Sequence, residues 1–324
     1  MTRPQISLRR ALEIAAIAAV AAVAGIGLPR LFPHLGAVEN HVADIRVAGL
    51  AAPEPQHPDV LILAITEDTL AALPYRAPLD RGFLARLLRG LDAAGVRTIG
   101  LDILFDQPTE AAKDADLFQA MRSLRAPLVV AWANKDDQLT EKQTAYIDTF
   151  LAGIKKGLPN LNAGSIDGIV RTIHRGRTIE GVRVAGLATA IAAAAGVEPP
   201  EDSTALAYRP SPDPKTPPFR TFPAHTAAFL PKPWLAGKIV LVGADMPHTD
   251  RFPAPFGSGG TIAGVAVHAH ALAQILEGRK PPGTGLAGAV ALLVVVAFAG
   301  LAIAGADVSV PLKFAGVAVG LVLL

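Results

Sequence analysis

The chain has 324 residues, of which 30 are basic and 28 acidic, so its formal net charge is only +2. No basic stripe is interleaved with aromatic residues, which argues against nucleic acid as a partner. The absence of cysteine excludes disulfides, thiolate catalysis and cysteine-ligated zinc. Hydrophobic residues make up 51% of the chain, and long apolar runs lie at both ends. This distribution predicts membrane segments around a domain of ordinary polarity.

The N-terminus joins a basic stretch to an apolar run. Arg3, Arg9 and Arg10 precede an alanine-rich run from Ala11 to Leu28. This layout fits a cleaved signal peptide or an uncleaved membrane helix, and both interpretations stay open. We favour the uncleaved helix, so residues 1–30 are predicted to form a cytoplasmic N-terminus and a transmembrane helix. The arginines would hold the N-terminus inside the cell and direct the following residues outward.

A second apolar run lies near the C-terminus. LAGAVALLVVVAFAGLAIAGA, Leu286 to Ala306, contains no charged residue and no proline. A helix of about 20 such residues rises roughly 30 Å, the thickness of the bilayer's hydrocarbon core. We therefore predict a transmembrane helix over 284–306 and the start of another over 308–324, where we expect a longer protein to be truncated. Arg279 and Lys280, just before this helix, argue against the outward placement of the middle of the chain.

Between the apolar ends, strand-like runs alternate with helical patterns. A connecting helix is predicted within 31–58. VLILAIT (Val60 to Thr66) and VRTIGLDILF (Val96 to Phe105) are typical of strands covered on both faces. The leucine stripe from Pro78 to Ala94 predicts a helix between them, hence a parallel βαβ unit. We predict an α/β domain over 59–280, with a mixed, mostly parallel sheet covered by helices and flanked by transmembrane helices.

Several later elements are predicted from glycine and proline residues, which mark the ends of helices and strands. GKIVLVG (Gly237 to Gly243) is expected to be another strand, and Ile262 to Glu277 a helix that ends at Gly278. The proline-rich stretch from Glu198 to Phe219 predicts a long surface loop. Arg175-Gly176-Arg177 is interpreted as the tip of a hairpin.

Segments along this middle region match those of a known family, in the family's order. They are DVLILAITEDTL, APLDRGFLARLLRGLDAAGVRTIGLDILFDQP, DADLFQAM, GSIDGIVRTI, GKIVLVGADMPHTDRFPAPFG and IAGVAVHAHALAQILEGR. From Asp59 to Arg279 the chain resembles the second type of CHASE domain, a bacterial extracytoplasmic sensory module. The resemblance implies attachment through membrane helices to an effector such as an adenylate cyclase or a histidine kinase, which is absent from this chain. The family usually has a Trp-Pro pair where this chain has Leu73-Pro74, so a pocket shaped there would differ.

Acidic residues are expected at the carboxyl ends of the parallel strands. Ligands of open α/β sheets bind at this edge, and Mg²⁺ and Ca²⁺ prefer oxygen ligands. The interpretation that we favour is structural: Asp68 would cap a turn, Asp102 would pair with Arg81 or Arg97, and the remaining acids would be solvated. The candidate ligand-binding residues are Glu67, Asp68, Arg81, Asp102, Asp106, Asp245, Asp250 and His268.

A pair of histidines and an Asp-Gly dipeptide are assigned structural roles. His268 and His270 lie two apart on a predicted helix and so point in different directions. The place of His268 on the apolar stripe favours a hydrogen-bonded core histidine over a metal ligand. Asp167-Gly168 predicts a turn, with Arg171 paired with an acid inside the domain.

The function predicted from these features is sensing. A ligand or a change in dimer contacts would favour one arrangement of the domain and move the flanking helices. The expected location is the bacterial inner membrane, multi-pass, with the domain in the periplasm or outside the cell. Expected partners are the lipid bilayer, an unidentified small-molecule or protein signal, and a second copy in a homodimer. No catalytic residue and no cofactor is predicted.

Two alternatives to a sensor stay open. One is a membrane-tethered hydrolase with Mg²⁺ or Ca²⁺ held by Asp68, Asp102 and Asp245. The other is a purely structural assembly module, whose melting temperature would not respond to small molecules.

Overall fold

A computed structural model describes the chain at Asp44 and over residues 52–199, 205–255 and 260–279. The predicted transmembrane runs and most of the connecting helix lie outside these residues. Residues Ala51–Pro281 form one compact unit. Among the residues that the structure describes, no helix has both the length and the apolar character needed to cross a bilayer.

The centre of this unit is a parallel β-sheet. Six of the strands form this sheet, and the other four form two small ribbons. In chain order, the strands are β1 (Val60–Ile65), β2 (Thr98–Asp102), β3 (Leu128–Ala131), β4 (Lys155–Gly157), β5 (Arg177–Ile179), β6 (Val182–Val184), β7 (Arg220–Pro223), β8 (Ile239–Ala244), β9 (Arg251–Pro253) and β10 (Thr261–Ala263). The sheet has the order β4-β3-β2-β8-β1-β7, and every pairing within it is parallel. Antiparallel pairing joins β5 to β6 and β9 to β10 in two small ribbons. The predicted α/β fold with a mostly parallel sheet is confirmed.

Helices cover both faces of this sheet. They are α1 (Glu67–Ala71), α2 (Arg81–Ala93), α3 (Ala111–Ser123), α4 (Glu141–Phe150), α5 (Leu187–Ala194), α6 (Lys232–Leu235) and α7 (Gly264–Glu277), with 3₁₀ helices at Lys135–Asp137 and Ala224–Phe229. Successive strand residues point to opposite faces. Leu61 and Leu63 therefore pack in the core with α2, α3 and α4, whereas Val60 and Ile62 pack in the core with α5 and α7.

The start of α2 shows how the sequence sets a helix boundary. The Asp80 carboxylate caps the helix by accepting the Phe83 N–H at 2.6 Å. A side-chain acceptor at this position satisfies an amide that has no partner within the helix. The predicted helix over Pro78 to Ala94 is therefore present, and it begins just after its cap.

Strand β8 lies between β1 and β2, although it follows both by more than a hundred residues of chain. Ala244 of β8 lies opposite Ile65, and Gly243 lies opposite Asp102. The carboxyl ends of these three central strands are therefore adjacent. The loop that follows β8 begins directly beside Asp102.

The hairpin predicted at Arg175-Gly176-Arg177 is misplaced. The turn of the β5–β6 ribbon is Glu180-Gly181, where φ is 49° and 82°. This turn needs the left-handed backbone conformation at both positions. Glycine adopts that conformation readily, whereas glutamate adopts it only at a cost in free energy. By contrast, the predicted Asp167-Gly168 turn is confirmed, and Arg171 Nη2 lies 2.6 Å from Asp167 Oδ2.

Candidate functional site

The structure brings together Asp102, Asp250 and His268, which are distant in the sequence. Asp102 ends β2 and points to the face covered by α7; its Cβ lies 3.1 Å from where a Cβ on Gly243 would be. Asp250 lies in the loop after β8 with φ at 52°, and its carbonyl accepts the Gly264 N–H at 2.9 Å. A Cβ on Gly264 would approach Asp250 Oδ2 to 2.0 Å. The Asp250 carboxylate therefore lies against the first residue of α7.

Two opposing effects act on the ionisation of the carboxyl groups at this site. The amino end of a helix carries partial positive charge, which stabilises a nearby carboxylate. Burial opposes ionisation: it raises the pKa of Asp102 to about 7. Burial, followed by the charge of Asp102, also raises the pKa of Asp250. The Asp102 carboxyl group can therefore exchange its proton close to neutral pH. A nearby positively charged group would favour the ionised form of both carboxyl groups.

His268 has a structural place at the base of this site. It is 3% exposed, and its Nε2 lies 3.2 Å from the Pro159 carbonyl oxygen. Burial lowers its pKa to about 4, although the Asp250 carboxylate acts in the opposite direction. The prediction of a hydrogen-bonded core histidine is confirmed, and at neutral pH the imidazole is uncharged.

A cavity beside His268 contains polar groups that sequence analysis missed. Its volume is about 10 Å³, and Asn160 and His174 also line it. This is close to the space that one water molecule needs. Asn160 Oδ1 and His174 Nε2 are buried without a hydrogen-bond partner among the described residues. Neither residue stands in a recognisable motif, since only the fold brings them to the cavity.

Arg81 and Asp106 lie elsewhere, on the face of the sheet covered by α2 and α3. Arg81 is 2% exposed, and its guanidinium lies 4.3 Å above the Phe105 ring. Its Nε lies 3.6 Å from Asp114 Oδ1, so the predicted pairing of Arg81 with Asp102 is wrong. Arg97, the other partner predicted for Asp102, donates from Nη2 to the Ala195 carbonyl instead. Burial lowers the pKa of Arg81. Asp106 accepts a hydrogen bond from Gln143 Nε2 at 2.7 Å.

The remaining candidates lie near the surface. Glu67 forms an ion pair with Arg76, and both side chains are largely exposed. Asp68 is exposed in the first turn of α1. Asp245 pairs with Arg251 Nη1 at 2.5 Å. The structure thus gathers three of the eight candidates into one site and distributes the others around it.

A metal site needs several ligating side chains close together. Over the ranges 52–199, 205–255 and 260–279, no group of three or more His, Cys, Asp or Glu residues is arranged to hold a metal ion. Asp102 and Asp250 offer two carboxyl groups. A pair of this kind suits a proton or the cationic group of a ligand.

A second polar cluster, the terminal junction, consists of Glu54, His57, Arg209, Glu277 and Arg279. It lies at the amino edge of the sheet, where the parallel strands begin. Arg209 is 6% exposed, pairs with Glu277 and lies 2.8 Å from Glu54 Oε2. Arg279 Nη1 lies 3.2 Å from Glu54 Oε1. The junction therefore ties the segment that leads into β1 to the end of α7.

His57 completes this junction. It is 3% exposed, and its Nδ1 accepts the backbone N–H groups of Asp59 and Val60, both at 3.1 Å. Its Nε2 lies 3.5 Å from Glu277 Oε1. Burial is the main cause that lowers its pKa, so the neutral imidazole is the form that fits.

Comparison with known proteins adds one finding. A family model described as CHASE2 domain matches residues 16–305. No curated protein and no solved structure matches the chain. The matched region contains the parallel sheet, the Asp102–Asp250 pair and the terminal junction. The chain therefore belongs to the CHASE2 family of sensory domains.

Proposed function

We propose that this chain is the sensor part of a multi-pass receptor of the bacterial inner membrane. Its α/β domain over 59–280 would lie outside the cytoplasm, and its output would be an effector of the cyclase or kinase type that is not part of this chain. Membership of a sensory family supports the class of function. The membrane placement rests on the apolar runs at Ala11–Leu28 and Leu286–Ala306.

The observation that carries the proposal is the course of α7. Its first residue, Gly264, contacts Asp250, and its last residue, Glu277, belongs to the terminal junction. The helix has 14 residues, which corresponds to a length of about 21 Å. One rigid element therefore joins the acidic site to the place where the described chain leaves the domain. A displacement of Gly264 that begins at Asp250 would therefore also move Glu277.

The signal in this proposal acts at Asp102 and Asp250. Ligand binding or protonation there would change the repulsion between the two carboxylates and so favour one position of α7. His268 would position the helix through its bond to the Pro159 carbonyl. Movement of α7 would alter the terminal junction, and with it the segments that continue toward the membrane.

Membrane topology can be tested with cysteine labelling, because the native chain has no cysteine. Gln138 is exposed after a 3₁₀ helix. In intact spheroplasts, we expect Gln138→Cys to react with a membrane-impermeant maleimide. The matched control, Thr2→Cys, should react only after lysis. Labelling of Gln138→Cys only after lysis would contradict an extracytoplasmic domain.

The alternative hydrolase makes a different prediction about the same site. A hydrolase would retain a tightly bound Mg²⁺ or Ca²⁺ after dialysis and would lose that metal and its activity in Asp102→Ala. For a sensor, we expect no retained metal, and Asp102→Ala should remain folded. Metal analysis of the purified wild-type and variant proteins separates the two functions.

A further inference from the structure

Exposed aromatic side chains surround β7 at the open edge of the sheet. Phe229 is 85% exposed and Trp234 is 45% exposed. The Trp234 ring stacks on Phe222 of β7 at 5.8 Å between centroids, with an interplanar angle of 28°. Soluble surfaces seldom expose grouped large aromatics unless they contact a partner. We call Phe222, Phe229 and Trp234, together with Arg220 and Lys232, the β7 surface.

The polar part of the β7 surface is basic. Arg220 and Lys232 are exposed. Neither has an acidic partner in the part of the chain that the structure describes. Aromatic rings beside unpaired cations suit a partner that combines apolar groups with negative charge. An anionic phospholipid surface has this combination, because tryptophan prefers the headgroup region and basic residues are attracted to lipid phosphate.

The position of this surface in the fold favours the same partner. Arg220 starts β7, and α6, which contains Lys232 and Trp234, leads directly into β8. At the start of β8, the Ile239 N–H donates to the Asp59 carbonyl at 2.8 Å. The basic end of the β7 surface therefore lies at the amino edge of the sheet. The terminal junction, from which the described chain leaves the domain in both directions, lies at that edge as well.

We propose that the β7 surface rests on the anionic headgroups of the membrane that anchors the chain. This inference rests on the proposed membrane attachment. Trp234 and Phe229 would enter the interfacial layer, while Arg220 and Lys232 would contact lipid phosphate. The contact would fix the orientation of the domain on the bilayer and limit its rocking.

Tryptophan fluorescence tests this contact, because the chain contains only two tryptophans. The full chain would be placed in nanodiscs of phosphatidylcholine and phosphatidylglycerol that carry brominated acyl chains near the headgroup. In Trp132→Phe, only Trp234 emits, and we expect the bromolipid to reduce its emission by about half, as for an interfacial indole. The matched control is Trp234→Phe, in which the 6% exposed Trp132 should be unaffected.

A second variant guards against misfolding of Trp132→Phe, since the Trp132 Nε1–H donates to Asp148. A spin label at Phe229→Cys occupies an exposed position in a chain without cysteine. Paramagnetic depth measurements should place this label in the headgroup layer. Arg220→Gln with Lys232→Gln should weaken both signals in anionic discs, and added salt should weaken the wild-type contact.

Two outcomes would overturn the inference. One is a folded protein in which neither Trp234 nor the Phe229 label senses the lipid. The other is a Trp234 shielded from aqueous acrylamide but not quenched by bromolipid, which would indicate a second copy of the chain as the partner. Co-flotation with vesicles reports membrane attachment separately. A protein that floats without lipid contact at the β7 surface refutes this inference alone.

Discussion

At the scale of single residues, Asp102 is the clearest departure from what folding requires. The strand that contains it is otherwise buried on both faces, and an apolar residue at its end would fit the pattern of β2. Its carboxyl group instead lies close to Asp250, and burial raises its pKa. Groups with strongly shifted pKa values gather at functional sites. Asp102 is therefore the first residue at which to test the proposed reception of a signal.

The ionisation of Asp102 predicts a pH effect on stability. Its pKa is raised from 3.8 to about 7 on folding, so the folded state holds the proton more tightly. The resulting stabilisation is complete below pH 3.8 and is lost as pH rises through about 7. We expect Asp102→Asn to raise the melting temperature at pH 8 by more than at pH 5.

A matched control for this measurement is Asp116→Asn. Asp116 is on the surface, and its hydrogen bonds with Arg89 lower its pKa, so it is ionised at both pH values. Its substitution should change the melting temperature equally at pH 5 and pH 8. An equal shift for Asp102→Asn would contradict the raised pKa.

Gly243 shows that the site needs close packing. A Cβ at this position would lie 2.8 Å from the Val265 Cβ and 3.1 Å from the Asp102 Cβ. We expect Gly243→Ala to destabilise the domain by about 1–3 kcal/mol through overpacking. Thermal or denaturant unfolding measures this change. Gly90→Ala is the control: it has open space within α2, so added helix propensity should stabilise the domain by up to about 1 kcal/mol.

At the scale of elements, α7 connects the two polar clusters. Its outer boundary is clear, because Gly278 ends the helix with φ at 61°. This stop was predicted from the glycine, and it places Glu277 in the last turn. The sequence did not indicate that Arg209, from a loop, would meet Glu277. That contact requires the course of the loop across the amino edge, and no local pattern encodes it.

Arg209 is expected to hold the terminal junction together. Arg209→Met would leave the carboxylates of Glu54 and Glu277 without their main cation, and we expect a loss of about 3 kcal/mol. Proteolysis near residues 52–58 should accelerate as the segment loosens. Arg125→Met is the control, since Arg125 is 78% exposed beside Asp92 and such pairs contribute about 1 kcal/mol or less. Similar losses for both variants would refute a special role for the junction.

The strands were predictable where a single physical signal dominated. Val60–Ile65 and Ile239–Ala244 are continuous apolar runs, and burial on both faces is the reason. Sheet order was not predictable in this way, because pairing is non-local. Consequently, acidic residues could be assigned to the carboxyl edge, but their face could not. The structure places Arg81 and Asp102 on opposite faces of the sheet, which the sequence pattern did not indicate.

At the scale of the whole molecule, buried histidines contribute to the acid sensitivity of the fold. Burial lowers the pKa of His268 to about 4 and that of His270 to about 3. Because the folded state favours the neutral imidazoles, they contribute stability to the fold above pH 6.5. This contribution is lost as pH falls through the folded-state pKa values. This trend opposes that of Asp102, and the melting temperature should decrease on strong acidification.

His270→Asn tests this origin of acid sensitivity. The His270 Nδ1 accepts the Arg209 backbone N–H at 3.0 Å, and an asparagine oxygen can replace that acceptor. We expect a lower melting temperature at neutral pH from lost packing, but a shallower decrease between pH 6 and pH 4. An unchanged slope in calorimetric scans across this range would exclude His270 as a source of the acid effect.

The central place of β8 has a consequence for biosynthesis. In the sheet, β1 and β2 are joined through β8, which is synthesised long after them, and such non-local closure is slow. In the proposed topology, the secretion channel delivers residues 60–102 well before Ile239–Ala244. The sheet cannot close during most of this passage. In that topology, the order of the strands would require the chain to be exported in an open state that chaperones can reach.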